Sequence, residues 1–201
     1  MTLLSRTRMA IALAAALGGC SVSSLLGGGG KPPTTLVTLT PEAAAPAQIV
    51  RTAAAGQSVT IGIPAVPKEL GYARVPVQLT PTNVQYVTNL QLIDTPDRLF
   101  QGLLEETVRR MTHRVVLDPS QSTLDPGINL SGQLERFGYD ASTGQVVVTY
   151  DATMARAGGA GVETRRFTGT APADGTGPTI GPALNRAANQ VALDVARWIG
   201  G

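Results

Sequence analysis

The residues able to do chemistry in this chain are few. Cys20, the only cysteine, stands in Leu17-Gly18-Gly19-Cys20-Ser21, and His113 is the only histidine. One thiol cannot close an intrachain disulfide, and one His beside it cannot build the usual nitrogen and sulfur ligand sets for zinc. His113 falls at the end of a predicted helix, where a cation complements the dipole, and reads as a surface or capping residue. Serine catalysis needs a base and an oxyanion hole. No G-x-S-x-G elbow is present, and Ser131 of Leu130-Ser131-Gly132 sits inside a strand pattern. Asp118 and Asp125 lie in Pro-containing loops and read as turn formers rather than a carboxylate pair. The Gly-rich stretches lack the Lys-Ser/Thr ending of a phosphate loop. The expectation is a protein that is not an enzyme and has no catalytic residue, no bound metal and no cofactor. That leaves Cys20 as the one residue whose context assigns it chemistry.

The elements around Cys20 define that context. Arg6 and Arg8 form a basic start, Met9 to Leu17 is apolar, and small residues precede the cysteine. This is the layout of an export signal. A transmembrane helix needs about 20 apolar residues, and this run ends in Gly-Gly-Cys, so residues 1–19 read as a cleaved signal peptide. A small-residue junction ending on Cys resembles the lipobox of bacterial lipoproteins. That resemblance implies that Cys20 becomes the first residue of the mature chain, with a diacylglyceryl group on its thiol and a further acyl chain, such as palmitate, on its amino group. Two or more chains anchor stably, at ~0.8 kcal/mol per buried CH₂. Ser21, where Asp would suggest inner-membrane retention, points to the outer membrane.

Removing the leader changes the composition argument. The whole chain has 16 Lys and Arg against 14 Asp and Glu; without Arg6 and Arg8 the two signs balance. A neutral mature protein with no basic patch gives no reason to expect nucleic acid as a partner. Roughly 180 residues remain, enough for one domain with a real core. The expected organisation is a signal peptide over 1–19, the lipidated Cys and a flexible Gly/Pro tether over 20–33, and a single periplasmic domain over 34–201.

Periodicity places the elements. Leu36 to Leu39, Val59 to Ile63, Val84 to Val87 and Val115 to Leu117 read as short strands, and Arg74 to Leu79 as a Pro-interrupted edge piece. Thr95-Pro96-Asp97 opens a helix, with Thr95 as cap, Pro96 at its first position, and Leu99, Phe100, Leu103, Leu104, Val108 and Met111 on one face. Glu105 with Arg109 and Glu106 with Arg110 are spaced for i,i+4 ion pairs. Ile128 to Phe137, Gln145 to Met154 and Gly161 to Thr170 predict an antiparallel meander at the centre of the sheet. In the first of these, Ile128, Leu130, Gly132, Leu134 and Arg136 fall on one face. A last helix is predicted from Pro182, its apolar face running from Leu184 to Trp198 and Ile199; Trp198 is expected to close the core, the alternative being a partner anchor. The fold class is α/β (α+β), a mostly antiparallel sheet with two amphipathic helices packed on it.

The order of these elements resembles the ABC-type transport auxiliary lipoproteins, exported partners of lipid transporters with mammalian-cell-entry (MCE) domains. The resemblance rests on Cys20, Leu36-Val37-Thr38-Leu39-Thr40-Pro41, the Val59 to Pro67 strand, Arg74-Val75-Pro76-Val77, and Asp94-Thr95-Pro96-Asp97-Arg98-Leu99-Phe100, with the later meander and terminal helix. Many members carry a Trp shortly before that helix, where this chain has Gln91-Leu92-Ile93-Asp94. The resemblance implies an outer-membrane lipoprotein on the periplasmic face of a Gram-negative envelope. Its partners would be an MCE protein and an ABC permease and ATPase, and the system would move phospholipids or related lipids between the two membranes. A bound phospholipid and a homo-oligomer are left open, as are two other classes: a structural or assembly lipoprotein of the outer membrane, and an anchored hydrolase.

Overall fold

The computed structural model describes residues 35–48, 50–125, 127–156 and 161–200, all within the unit Pro33–Gly201. Cys20, the signal peptide and nearly all of the tether lie outside the described residues. The strands are β1 (Thr35–Val37), β2 (Val59–Ile61), β3 (Pro76–Thr80), β4 (Asn83–Tyr86), β5 (Leu90–Leu92), β6 (Val116–Leu117), β7 (Ile128–Asp140), β8 (Gln145–Arg156) and β9 (Val162–Pro172). The helices are α1 (Pro96–Met111) and α2 (Gly177–Gly200).

The long alternating runs form the predicted meander, with β7, β8 and β9 antiparallel in sequence. It is not the centre of the sheet. On its far edge β7 takes β2, parallel, at its start (Val59↔Ile128, Ile61↔Leu130) and β3, parallel, at its end (Val77↔Tyr139, Gln78↔Asp140). β6 extends the sheet beyond β2 and β4 beyond β3. β7 is therefore the hub and β9 an edge. β3, expected at an edge, lies between β4 and β7; Pro76 is tolerated because it is the strand's first residue. A separate parallel pair, β1–β5, stands outside this sheet.

Side-chain alternation sends Val146, Val148, Tyr150, Ala152 and Met154 of β8 into the core beneath the helices. On β7 the register shifts between Leu134 and Arg136. The bulge adds one residue, so that Phe137 follows Leu134 onto the core face and Arg136 is turned out. This corrects the expected face, because simple alternation cannot anticipate an inserted residue.

In α1 Phe100, Leu103, Leu104 and Val108 are buried as expected, and the buried Thr107 joins them; Met111, at the helix end, is exposed. Thr95 holds the cap position without a side-chain cap; the Asp94 carboxylate instead accepts the Thr95 N–H at 2.7 Å. α2 begins at Gly177, ahead of Pro182, which lies inside the helix. The early start is built by Asp174, whose carboxylate accepts the Thr176 N–H at 2.8 Å and the Thr176 and Thr179 hydroxyls at 2.7 and 2.5 Å. Its alanines allow close packing on the sheet: a Cβ at Gly169 of β9 would lie 2.2 Å from the Ala187 carbonyl oxygen. Phe100 meets Tyr150 edge-on at 5.2 Å, and Trp198, 9% exposed, packs on Phe167 at 5.5 Å.

Candidate functional site

Ser131, His113, Asp118 and Asp125 lie on different segments, and none hydrogen-bonds another. Ser131 is in β7, where its carbonyl accepts the Tyr150 hydroxyl at 3.0 Å, and His113 is exposed beyond the end of α1. Asp118 accepts the N–H and hydroxyl of Ser120 at 2.8 and 2.6 Å, which lowers its pKa. Asp125 ties two segments together, accepting the N–H groups of Gly56 at 2.6 Å and Ser58 at 3.0 Å. The Ser58 hydroxyl and these amides hold its carboxyl below the ordinary range. Both aspartates thus work as structural acceptors. Among the described residues no three His, Cys, Asp or Glu side chains cluster as metal ligands would.

A different constellation is built where the chain arrives from the tether. After β1, residues 38–43 run over α2 as a strap held by two asparagines one helical turn apart. Asn189, fully buried, accepts the Glu42 N–H at 2.7 Å and donates to the Thr40 carbonyl at 2.9 Å. Asn185 accepts the Thr40 N–H at 2.8 Å. From α1, Arg110 donates to the Ala43 carbonyl at 2.8 Å while its guanidinium is held by Glu106 at 2.7 Å. Arg51, further along, donates to the Arg109 carbonyl. The predicted Glu105–Arg109 and Glu106–Arg110 pairs both form, and the second does more than decorate a solvated face. The strap is clamped chiefly through its backbone, with Asn185 also donating to the Glu42 carboxylate at 3.4 Å and Leu39 packing against the core.

The clamp escaped the sequence reading. Its one visible trace is Asn189 itself, an unfavourable helix residue set among the apolar Ala187, Ala188, Val191 and Ala192. A buried amide there must find partners, and the strap backbone supplies them.

The face of the meander away from the helices carries polar pairs, with Val147 and Thr149 of β8 buried among them. Asp151 and Arg166 form a bidentate pair at 2.6 and 2.5 Å, and Arg166 lowers the Asp151 pKa. Thr153 bonds Thr164 at 3.1 Å and Thr149 bonds Thr168 at 3.4 Å across the β8–β9 ladder. Arg136, turned out by the bulge, pairs with Asp140 at 2.9 Å and, with Gln78, Leu79, Thr80, Pro81 and Ser142, lines an open hollow of about 430 Å³. By contrast the space between helices and sheet is filled: Leu130, Leu134, Val148, Tyr150, Leu184, Val191 and Val195 have no exposed surface. The interior is given over to packing.

These features agree with what the chain resembles. The family model described as ABC-type transport auxiliary lipoprotein component matches residues 38–196. Among solved structures, a Xanthomonas campestris protein of family DUF330 superposes with a TM-score of 0.69 at 15% identity, covering 83% of this chain and 94% of its own. A second crystal structure, of an uncharacterized protein, gives 0.60 at 16% identity, covering 75% and 96%. No curated protein matches the sequence significantly. At these identities the structural likeness shows the α+β fold; the sequence match, which runs from the strap to the last turns of α2, shows more. The chain belongs to the family of ABC-type transport auxiliary lipoprotein components.

Proposed function

We propose that the protein is the lipid-anchored, periplasmic auxiliary component of an ABC transporter that works with an MCE-domain partner. In this reading it is anchored in the outer membrane through acyl chains on Cys20, and the system moves phospholipids or related lipids between the membranes. Its role is that of an adaptor: the acyl chains fix one end, the domain engages the transporter, and the energy is supplied by the inner-membrane ATPase. It catalyses no reaction itself. The observation that carries this reading is the family match over 38–196 placed directly after a lipobox-like Cys20 and a glycine tether. The filled helix–sheet interface favours positioning over carrying a lipid tail inside the domain.

The anchor is tested by Cys20→Ala. The variant should fold as the parent does and move from the outer-membrane fraction of a density gradient to the soluble periplasmic fraction. Continued sedimentation with membranes would mean that the anchor is misassigned.

A further inference from the structure

The pair β1–β5 follows the stretch that leads from Cys20, and it exposes apolar side chains on its outer surface beside the polar Gln91. Val37 packs toward the core, whereas Leu36, its neighbour on β1, is 62% exposed. Leu36 pairs with Gln91; Ile93, two residues further on, is 58% exposed and donates its N–H to the Val37 carbonyl at 3.0 Å. On the other side of β5, the Leu92 N–H bonds the Ala73 carbonyl at 3.1 Å, which brings up Tyr72, 52% exposed. The Tyr72 ring meets Tyr86 edge-on at 6.4 Å, and the Arg74 guanidinium lies over Tyr86 at 4.5 Å.

Single exposed aliphatic residues need no explanation. Two aliphatic side chains, two tyrosines and an arginine on four adjacent backbone segments form a group of another kind. Aliphatic residues enter the acyl boundary, Tyr rings sit at headgroup level, and Arg lays its stem on apolar surface with its charge in water. The chain's course supplies the occupant. Cys20 precedes Thr35 by fifteen residues, a reach of at most ~50 Å, so an anchor at Cys20 keeps this patch within that distance of the bilayer and raises its effective concentration there. We propose that Leu36, Ile93 and Tyr72 seat the domain on the phospholipid surface into which Cys20 is anchored. The proposal rests on the lipidation of Cys20. The patch carries Arg74 with Asp94 next to Ile93, so contact should be apolar and should not require anionic lipid.

The test uses the full-length acylated protein in phosphatidylcholine vesicles. Cys20 is the only native cysteine and its thiol is blocked by the acyl group, so Leu36→Cys, Ile93→Cys and Leu124→Cys each give one site for an environment-sensitive nitrobenzoxadiazole probe. Leu124 is 74% exposed in the β6–β7 connection and serves as the reference. Probes at 36 and 93 should shift to the blue, brighten severalfold and be quenched by nitroxide lipids, equally at low and high salt; the probe at 124 should stay water-like. Tyr72→Ser in the Leu36→Cys background should weaken the shift at 36. Mass spectrometry of the same sample reads acylation. Acylated protein with water-like probes at 36 and 93 would overturn the proposal alone, as would a shift that appears only when a transporter subunit is added. Unmodified Cys20 would overturn both the proposal and the anchor on which it depends.

Discussion

Asn189→Ala tests whether the strap is held by the α2 amide. The substitution removes the two hydrogen bonds to the strap, from the Glu42 N–H and to the Thr40 carbonyl, and a third within α2 to the Asn185 carbonyl. Each has a net value of about 0.5–1.5 kcal/mol, and the gain in helix propensity from Ala returns roughly 0.5 kcal/mol. The released strap can hydrate its backbone, so the loss should fall on local opening: roughly 1–2 kcal/mol, a five- to thirtyfold change in the opening equilibrium. Hydrogen exchange read residue by residue is the assay. Amides of Thr40 and Glu42 should exchange five to thirty times faster, while those of β7 and β8, whose protection reports global unfolding, should change far less. Unchanged exchange at Glu42, or equal acceleration throughout the sheet, would refute the clamp as a local device.

Further outcomes follow from the same geometry. Arg110→Met removes the donor to the Ala43 carbonyl and should accelerate strap exchange without altering the core, again read by hydrogen exchange. Gly169→Ala places a methyl 2.2 Å from the Ala187 backbone oxygen; overpacking of this kind costs about 1–3 kcal/mol and should lower the denaturant midpoint. Asp174 has its pKa lowered to about 2 by the Thr176 and Thr179 hydroxyls and the Thr176 amide. Because the folded value lies below the unfolded one, its contribution is complete above about pH 4 and is lost as pH falls toward 2. Thermal melts of Asp174→Ala should therefore show a lower Tm near neutrality and a smaller drop between pH 4 and pH 2 than the parent.

What could be read from residues alone followed physical rules of short range. Thr95-Pro96-Asp97 placed the start of α1 because a Pro at the first position satisfies local constraints, and the alternation of β8 and β9 fixed the meander. Pairing at long range was not legible. The parallel contacts of β2 and β3 with β7 join segments separated by a helix or by several strands, and alternation does not distinguish parallel from antiparallel partners. Pro182 misled because a proline usually marks a first turn; the Asp174 cap and Pro178 had already opened the helix. The strand β5 is too short for its pattern to stand out. In the candidate site, Glu106–Arg110 was visible as an i,i+4 pair, but its second task, holding the Ala43 carbonyl, depends on a strap that only the tertiary fold brings near. Cys20, the best-defined residue of the sequence reading, lies outside the described residues.

The claim that this lipoprotein serves as the auxiliary component of an MCE-type ABC transporter is tested most directly by affinity purification of the full-length, acylated protein from detergent-solubilised envelopes of its own cells, followed by mass spectrometry of what comes with it. The account predicts MCE-domain, permease and ATPase subunits in the eluate, reduced when Cys20→Ala removes the anchor. An intact, membrane-anchored protein recovered with none of them would contradict it.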